Sequence, residues 1–284
     1  ITISQNYVEN GFTFAYPEIE WPAEEPRATA MELPLVPFAA ALLYRLFGFS
    51  AYTVRILTAL GFTLAALYTY RFARRELGET VGVLAGAFAA IMPLYHQFGY
   101  PLFSEPWVIA TSVIALYHFA TWMDGGVRRH YWIALGAFSA AVALKMTPLY
   151  LLLPLGYLWY RKAPLGWPRP RSLSRSKPWR AQRESEPRRP FWQFAALVAG
   201  ALVVPAAWSI HAYYLTVNSI DVFGVFGGHD KLQTLTMLSD PAWYGTMANR
   251  IGSGVLGGEV GSLVALLGLG ALVWKRRGGA VIAY

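Results

Sequence analysis

Apolar residues along this chain come in long blocks, and short polar or charged stretches separate them. A helix needs about 20 mostly apolar residues to cross a bilayer. Lys145 and Pro148 interrupt the fourth and fifth blocks, which are therefore short. The pattern predicts membrane-spanning helices near 52–70, 80–98, 106–123, 131–145, 148–160, 192–214 and 255–274.

The composition supports a membrane protein. Of the 284 residues, 55% are hydrophobic and 14% are charged, whereas soluble domains carry about 25% charged residues. The chain has no cysteine, which excludes disulfides and thiolate metal sites. It starts at Ile1 in a polar stretch and stops in an apolar one, so we expect one domain over 1–284, truncated at both ends. The predicted fold is all-α, a polytopic transmembrane helix bundle.

The basic residues predict the orientation of these helices. Eighteen of the 24 Lys and Arg residues lie in four segments. Because positively charged loops stay in the cytoplasm, we expect these segments to be cytoplasmic and 1–51 and 215–253 to be outer loops. The four basic segments are 71–77, 124–130, 161–190 and 274–279.

Two consequences follow from this orientation. The chain must leave and return between 124–130 and 161–190, so 131–160 is predicted to form a hairpin of two short helices with Lys145 at its outer tip. The loop 161–190 is rich in Pro, Arg and Ser and is predicted to be flexible. A cytoplasmic loop near anionic lipid headgroups explains its charge better than nucleic-acid binding does.

The first outer segment contains a shorter apolar stretch. Residues 34–47 are too few to span a bilayer and predict a helix lying in the interface on the outer face. Glu32 precedes this helix, and Glu105 precedes the third predicted span. A carboxylate at a helix start is also favoured by the helix dipole. Each glutamate alone therefore fits either a structural role or a site.

Together, the charged residues of the outer face indicate a binding site. Ionisable groups at membrane depth are costly and usually functional. Carboxylates and imidazoles bind divalent cations, whereas Lys and Arg bind phosphate. We therefore expect an anionic ligand, with a divalent metal ion held by Glu32, Glu105 and His229 as an option. The predicted outer set is Glu32, Glu105, Lys145, His229, Asp230, Lys231 and Arg250.

His96, at the outer end of the second predicted span, joins this outer set, whereas the other three histidines are given structural roles. His118 and His211 are predicted to be hydrogen-bonded to neighbours within spans. His130 is predicted to lie at the cytoplasmic edge.

The order of several short motifs resembles the GT-C superfamily of membrane glycosyltransferases. The bacterial relatives of protein O-mannosyltransferases and of the lipid A aminoarabinose transferase are the most similar. The motifs are "MELP", a helix ending "LYRLFGFS", "YTVR", "FSEPW" and "ALKMTPLYLLLPL", with a later resemblance over "FGVFGGHDKLQTLTMLSDPAWYGTMANRI". Glu32, Arg55, Glu105 and Lys145 match positions of the family's motifs.

The resemblance implies a reaction and a place for it. A sugar would move from a polyprenyl-phosphate donor to a hydroxyl of a lipid, glycan or protein acceptor, at the outer face of a bacterial inner membrane. The family's principal catalytic carboxylate would lie upstream of Ile1, and Glu9 does not replace it. The Lys that follows the glutamate in some members is Leu33 here.

A competing class is a transporter or flippase for lipid-linked sugars. Transporters often carry internal repeats and place charged groups at mid-depth. This sequence has no visible repeat and its charges cluster at one face, which favours an enzyme. A scaffold subunit is a third class, favoured if no acid precedes Ile1.

Overall fold

The computed structural model describes residues 2–20, 28–92, 104–162, 191–219 and 239–255, together with 258–259, 261–263 and 266. The described part is helical and contains no β-strand beyond one isolated bridge between Glu18 and Ala28. The all-α prediction is therefore confirmed for these residues. The helices are α1 (Thr2–Glu9), α2 (Leu35–Phe47), α3 (Ala51–Leu77), α4 (Glu79–Ile91), α5 (Glu105–Gly125), α6 (Arg128–Leu144), α7 (Leu152–Lys162), α8 (Phe191–Asn218) and α9 (Pro241–Arg250).

Among the described residues, two helices are long and apolar enough to cross a membrane. They are α3, with 27 residues, and α8, with 28 residues. At about 1.5 Å per residue each is about 40 Å long, more than the roughly 30 Å hydrocarbon core. α2 and α4 are shorter apolar helices of 13 residues each. Their position in an interface or a membrane stays a prediction, and most of the predicted span 255–274 lies outside the described residues.

α3 and α5 run side by side in the same direction. Gly61 approaches Pro106 so closely that an added Cβ would lie 2.9 Å from the Pro106 Cβ. Further along, the rings of Tyr68 and Tyr117 are 5.6 Å apart. The pair of helices therefore has one end near Glu105 and another near the arginines of α3, called here the Glu105 end and the arginine end.

α4 returns along α3 after a one-residue turn. Gly78 has φ of +104°, a conformation that favours glycine because it has no Cβ. Gly82 and Gly86 then let the helices touch, since a Cβ on Gly86 would lie 2.7 Å from the Tyr70 Cβ. The pair is antiparallel and close-packed.

α6 and α7 form the hairpin predicted for 131–160. α6 ends at Leu144, and a 3-10 turn over Thr147–Leu151 leads into α7. Trp159, near the end of α7, stacks on Phe194 at the start of α8, at 5.7 Å. The start of α8 also contacts the start of α6, because Tyr131 donates to the Gln193 carbonyl at 3.4 Å. α7 therefore returns to the end from which α6 began.

The main core lies among α5, α6, α7 and α8. Its fully buried side chains include Phe119, Phe138, Leu151, Leu155 and Leu197. In contrast, many large apolar side chains point away from the described part of the chain, among them Leu84, Leu153 and Ile210. Extensive exposed apolar surface is typical of contact with lipid or a partner.

Candidate functional site

The central contact at the Glu105 end is an ion pair between two predicted site residues. The ammonium Nζ of Lys145 lies 2.7 Å from Oε1 of Glu105. Glu105 is the first residue of α5, and Lys145 is the extended residue that ends α6. The two side chains are 29% and 38% exposed, so solvent still reaches the pair. The hairpin tip therefore brings together two charges that are 40 residues apart in sequence.

The second oxygen of this carboxylate is left without a partner. Glu105 Oε2 is buried and has no hydrogen-bond partner within the described ranges. The indole Nε1 of Trp107, two residues later, is also buried and unpaired there. Buried polar groups nearly always have partners. The start of α5 thus carries one acceptor and one donor that have no partner among the described residues.

Glu32 is positioned by its neighbours on both sides. The Leu33 N–H donates to the Ala143 carbonyl at 3.0 Å. The Trp208 indole N–H donates to the Met31 carbonyl at 2.9 Å. Because Ala143 is two residues before Lys145, these bonds hold the Glu32 backbone beside the hairpin tip. The Glu32 side chain is half-buried.

Packing of α2 fixes this arrangement from the side. Val36 and Ala40 of α2 pack in one apolar cluster with Leu57 of α3, Val108 of α5 and Leu144 of α6. Leu144 is the residue before Lys145, and Val108 lies one turn after Glu105. Glu32, Glu105 and Lys145 are called here the acid–lysine site. One apolar cluster therefore supports the segments that carry all three residues.

α1 and the following loop cover the other face of α2. The ring of Phe38 makes edge contacts with Tyr7, Phe12 and Phe14 at 5.0–5.9 Å. Tyr7 donates to the Phe14 carbonyl at 3.0 Å. Burial, and secondly the nearby Glu18 carboxylate, raise the pKa of the Tyr7 hydroxyl, so it stays protonated as this donor. The aromatic contacts tie the first segment to the helix that positions Glu32.

The structure places the other predicted residues differently. Arg55 is exposed on α3 and lies over the Tyr52 ring at 5.8 Å from its centroid. Arg250 is exposed at the end of α9, and no described contact joins it to the acid–lysine site. His96, His229, Asp230 and Lys231 lie outside the described residues.

The predicted metal set includes His229 and stays a prediction. Within the part of the chain that the structure describes, no three His, Asp or Glu side chains come close enough to hold a metal ion. The site thus offers Glu32 and Glu105 as acidic ligands but no third one among the described residues.

The hydrogen bonds predicted for His118 and His211 are present, and the cytoplasmic position of His130 stays a prediction. His118 is 7% exposed, and its Nδ1 lies 2.7 Å from the Nδ1 of His130. His211 donates from Nε2 to the Ala15 carbonyl at 2.6 Å. His118 and His211 are thus each hydrogen-bonded to a residue outside their own helix.

Sequence reasoning did not single out Trp107 or Trp208. Trp107 has a buried indole N–H without a partner among the described residues, and Trp208 anchors the segment that carries Glu32. The available signal for Trp107 was its position: a tryptophan, whose indole can donate a hydrogen bond, lies two residues after an acid at a helix start. No local pattern pointed to Trp208, which lies 177 residues from its partner.

The fold and the site define a helical protein with two described helices long and apolar enough to cross a membrane, and with charged groups at helix ends. Comparison with family models is more specific. The model of the family described as dolichyl-phosphate-mannose-protein mannosyltransferase matches residues 26–179, more than half of the chain, and the chain belongs to this family. It is therefore a membrane glycosyltransferase of the GT-C type. The matched region contains Glu32, Arg55, Glu105 and Lys145.

No curated protein and no solved structure matches this chain. The family membership thus rests on the family model alone.

Proposed function

We propose that this chain transfers a sugar from a polyprenyl phosphate to an acceptor hydroxyl at the outer face of a bacterial inner membrane. The acceptor is a hydroxyl of a lipid, a glycan or a protein. The observation that carries the proposal is the Glu105–Lys145 pair, with Nζ 2.7 Å from Oε1 and Oε2 left unpaired among the described residues.

The transfer has three chemical requirements. The acceptor oxygen attacks the anomeric carbon, the bond between that carbon and the phosphate oxygen breaks, and the acceptor proton passes to a base. Charge develops on the phosphate as it leaves, so a cation placed beside it lowers the barrier. The base must lie within hydrogen-bond reach of the acceptor hydroxyl.

The acid–lysine site supplies groups for these requirements. Lys145 is the cation for the departing phosphate, since ammonium–phosphate hydrogen bonds are charge-assisted. Glu105 orients Lys145 through Oε1 and offers Oε2 to a sugar hydroxyl, to the acceptor or to a divalent cation. Glu32, whose backbone is held beside the hairpin tip, acts as a second acid. Arg55, His229, Asp230, Lys231 and Arg250 are proposed donor-binding residues.

Family membership favours this enzyme over the transporter or flippase. In addition, the described carboxylate–lysine pair lies at helix ends rather than at mid-helix. Charge at the middle of broken helices is the arrangement expected of a transporter.

A matched pair of glutamates tests the proposal. Glu105 and Glu79 are each the first residue of a helix, and each is paired with a cation, Glu79 with Arg74 at 2.5 Å. The full-length protein is reconstituted with a sugar-linked polyprenyl phosphate, and the initial rate of polyprenyl-phosphate release is measured. Glu105→Gln should lower this rate ten-fold or more, since positioned acid–base groups contribute roughly 10²–10⁴.

Glu79→Gln is the control and should leave the rate near that of the unmodified protein. Equal rates for the two variants would show that Glu105 only stabilises its helix. A second set of reactions with EDTA, and then with added Mg²⁺ or Mn²⁺, tests metal dependence.

A further inference from the structure

The arginine end contains a cavity that the proposed reaction does not use. The cavity has a volume of about 830 Å³. Its lining carries four arginines and two histidines and no carboxylate, namely Arg71, Arg74, Arg75, Arg129, His118 and His130. A pocket with this lining is suited to an anion.

Two of the four arginines are already engaged. Arg75 pairs with Asp124 and donates to the Ala120 carbonyl at 2.6 Å. Arg74 pairs with Glu79 at 2.5 Å. These carboxylates neutralise the charges of Arg74 and Arg75. The two arginines line the cavity, but they are not the cations proposed to bind its ligand.

The other two arginines, Arg71 and Arg129, have positive charges that no described carboxylate neutralises. Arg71 lies over the Tyr68 ring at 5.3 Å from its centroid. Neither Arg71 nor Arg129 forms an ion pair with any carboxylate in the described ranges. Both are exposed and line the cavity. The cavity therefore offers two cations that a phosphate group could join.

The two histidines of the lining contact each other. The Nδ1 atoms of His118 and His130 are 2.7 Å apart, and their rings stack at 4.9 Å. One Nδ1 must donate and the other must accept, so at least one ring is neutral. The stacked histidines therefore add hydrogen-bonding groups to the cavity lining rather than a second pair of fixed positive charges.

An apolar groove continues from this cavity along α3 and α4. It has a volume of about 470 Å³, and Leu67 and Tyr70 line both the groove and the cavity. Its other lining residues are apolar or small, including Phe62, Val83 and Ala87. A charged pocket joined to an apolar groove has the shape and chemistry of a lipid site, with the phosphate in one part and the hydrocarbon chain in the other.

We propose that the arginine end binds one anionic phospholipid. Its phosphate lies between Arg71 and Arg129, and an acyl chain lies in the groove between α3 and α4. This site is separate from the sugar-transfer site, because His118 follows Glu105 by 13 residues, about 20 Å along α5. The bound lipid ties α3 to the start of α6.

The test uses full-length protein in a neutral detergent and a buffer without phosphate. Short-chain phosphatidylglycerol is titrated, and the midpoint of thermal unfolding is followed. We expect a saturable upward shift with phosphatidylglycerol and a much smaller one with phosphatidylcholine of the same chain length. Arg71→Gln and Arg129→Gln should each weaken the apparent affinity about five-fold, the effect of one arginine near an anionic lipid.

Two further variants separate a built site from general attraction. Arg128→Gln removes an exposed arginine next to Arg129 that does not line the cavity, and it should keep the affinity. Ala87→Trp fills the groove and should weaken binding while leaving all arginines in place.

Four results would overturn the proposal. An equal shift with phosphatidylcholine would show that charge is not recognised, and an equal shift with inorganic phosphate would show a site for a free anion. An equal loss in Arg128→Gln would indicate diffuse attraction, and unchanged affinity in Ala87→Trp would place the chain elsewhere.

Discussion

Both ends of α5 carry paired acidic and basic side chains, but the polar groups left without a partner are acidic at one end and basic at the other. At the Glu105 end, one lysine meets one carboxylate, and a buried carboxylate oxygen stays unpaired among the described residues. At the arginine end, Arg74 and Arg75 are paired, but Arg71 and Arg129 have no described carboxylate partner.

This difference indicates which ligand each end can accept. An unpaired carboxylate oxygen requires a donor, such as a hydroxyl, or a cation. Unpaired arginines require an anion. The groups without a partner among the described residues therefore indicate the charge of the ligand that each end can accept.

The largest expected effect concerns the side of the membrane on which each end lies. The basic-residue distribution predicts the arginine end inside and the Glu105 end outside. Thr13 and Val127 are exposed at the two ends, and the chain has no cysteine of its own. In intact cells, a non-permeant thiol reagent should label Thr13→Cys and not Val127→Cys.

Permeabilised cells are the control, and both variants should be labelled there. The reverse pattern in intact cells would place the arginine end outside and would contradict the proposed orientation of the sugar-transfer site.

The second prediction concerns Glu32. Glu32→Gln keeps size and polarity but removes the charge. If Glu32 acts in transfer, turnover should fall ten-fold or more, because positioned acid–base groups contribute roughly 10²–10⁴. Glu9→Gln is the matched control, since Glu9 is an exposed acid in the same first segment. Steady-state rates near normal for Glu32→Gln would leave Glu32 with a structural role only.

Several features of the fold could be predicted because their causes are local. Lys145 and Pro148 predicted the break between α6 and α7, and the helix does end at Leu144. α2 occupies Leu35–Phe47, close to the predicted 34–47. α3 runs to Leu77 rather than 70, because Arg74 and Arg75 are favourable near a helix C-terminus and Gly78 then ends it.

Other features depend on contacts between distant residues. α1 has eight residues and lies in a segment predicted to be a loop. Such a short helix is marginal by itself, and its contacts with Phe38 of α2 stabilise it. Sidedness predicted that Glu105 and Lys145 would share a face. It could not predict their 2.7 Å contact, which depends on how α5 and α6 pack.

The third prediction concerns the Glu105–Lys145 pair itself. Lys145→Met removes the ammonium and keeps the length of the side chain. We expect kcat/KM for the donor to fall about ten-fold, because one hydrogen bond to a charged group contributes about 1.5–3 kcal/mol. A lysine that merely extends its charge to water at a helix end would leave donor kinetics unchanged.

The double variant Glu105→Gln with Lys145→Met sharpens this test. Residues in direct contact are not additive, so the double variant should be little worse than the more damaging single change. Fully multiplied losses would show that the two residues act independently, despite their contact.

The smallest expected effect concerns the support of Glu32 rather than its charge. Trp208→Phe keeps an aromatic ring beside Phe14 but removes the N–H that donates to the Met31 carbonyl at 2.9 Å. One neutral hydrogen bond contributes about 1 kcal/mol, and leaving the carbonyl unpaired adds to the loss. The unfolding midpoint in detergent should therefore fall by about 2–4 °C. Turnover should fall modestly, because the backbone beside Glu32 loses one of its two anchors. Trp192→Phe is the control, since Trp192 begins the same helix at the other end and is 65% exposed. Equal shifts for the two variants would mean that the Trp208 bond does not hold the acid–lysine site in place.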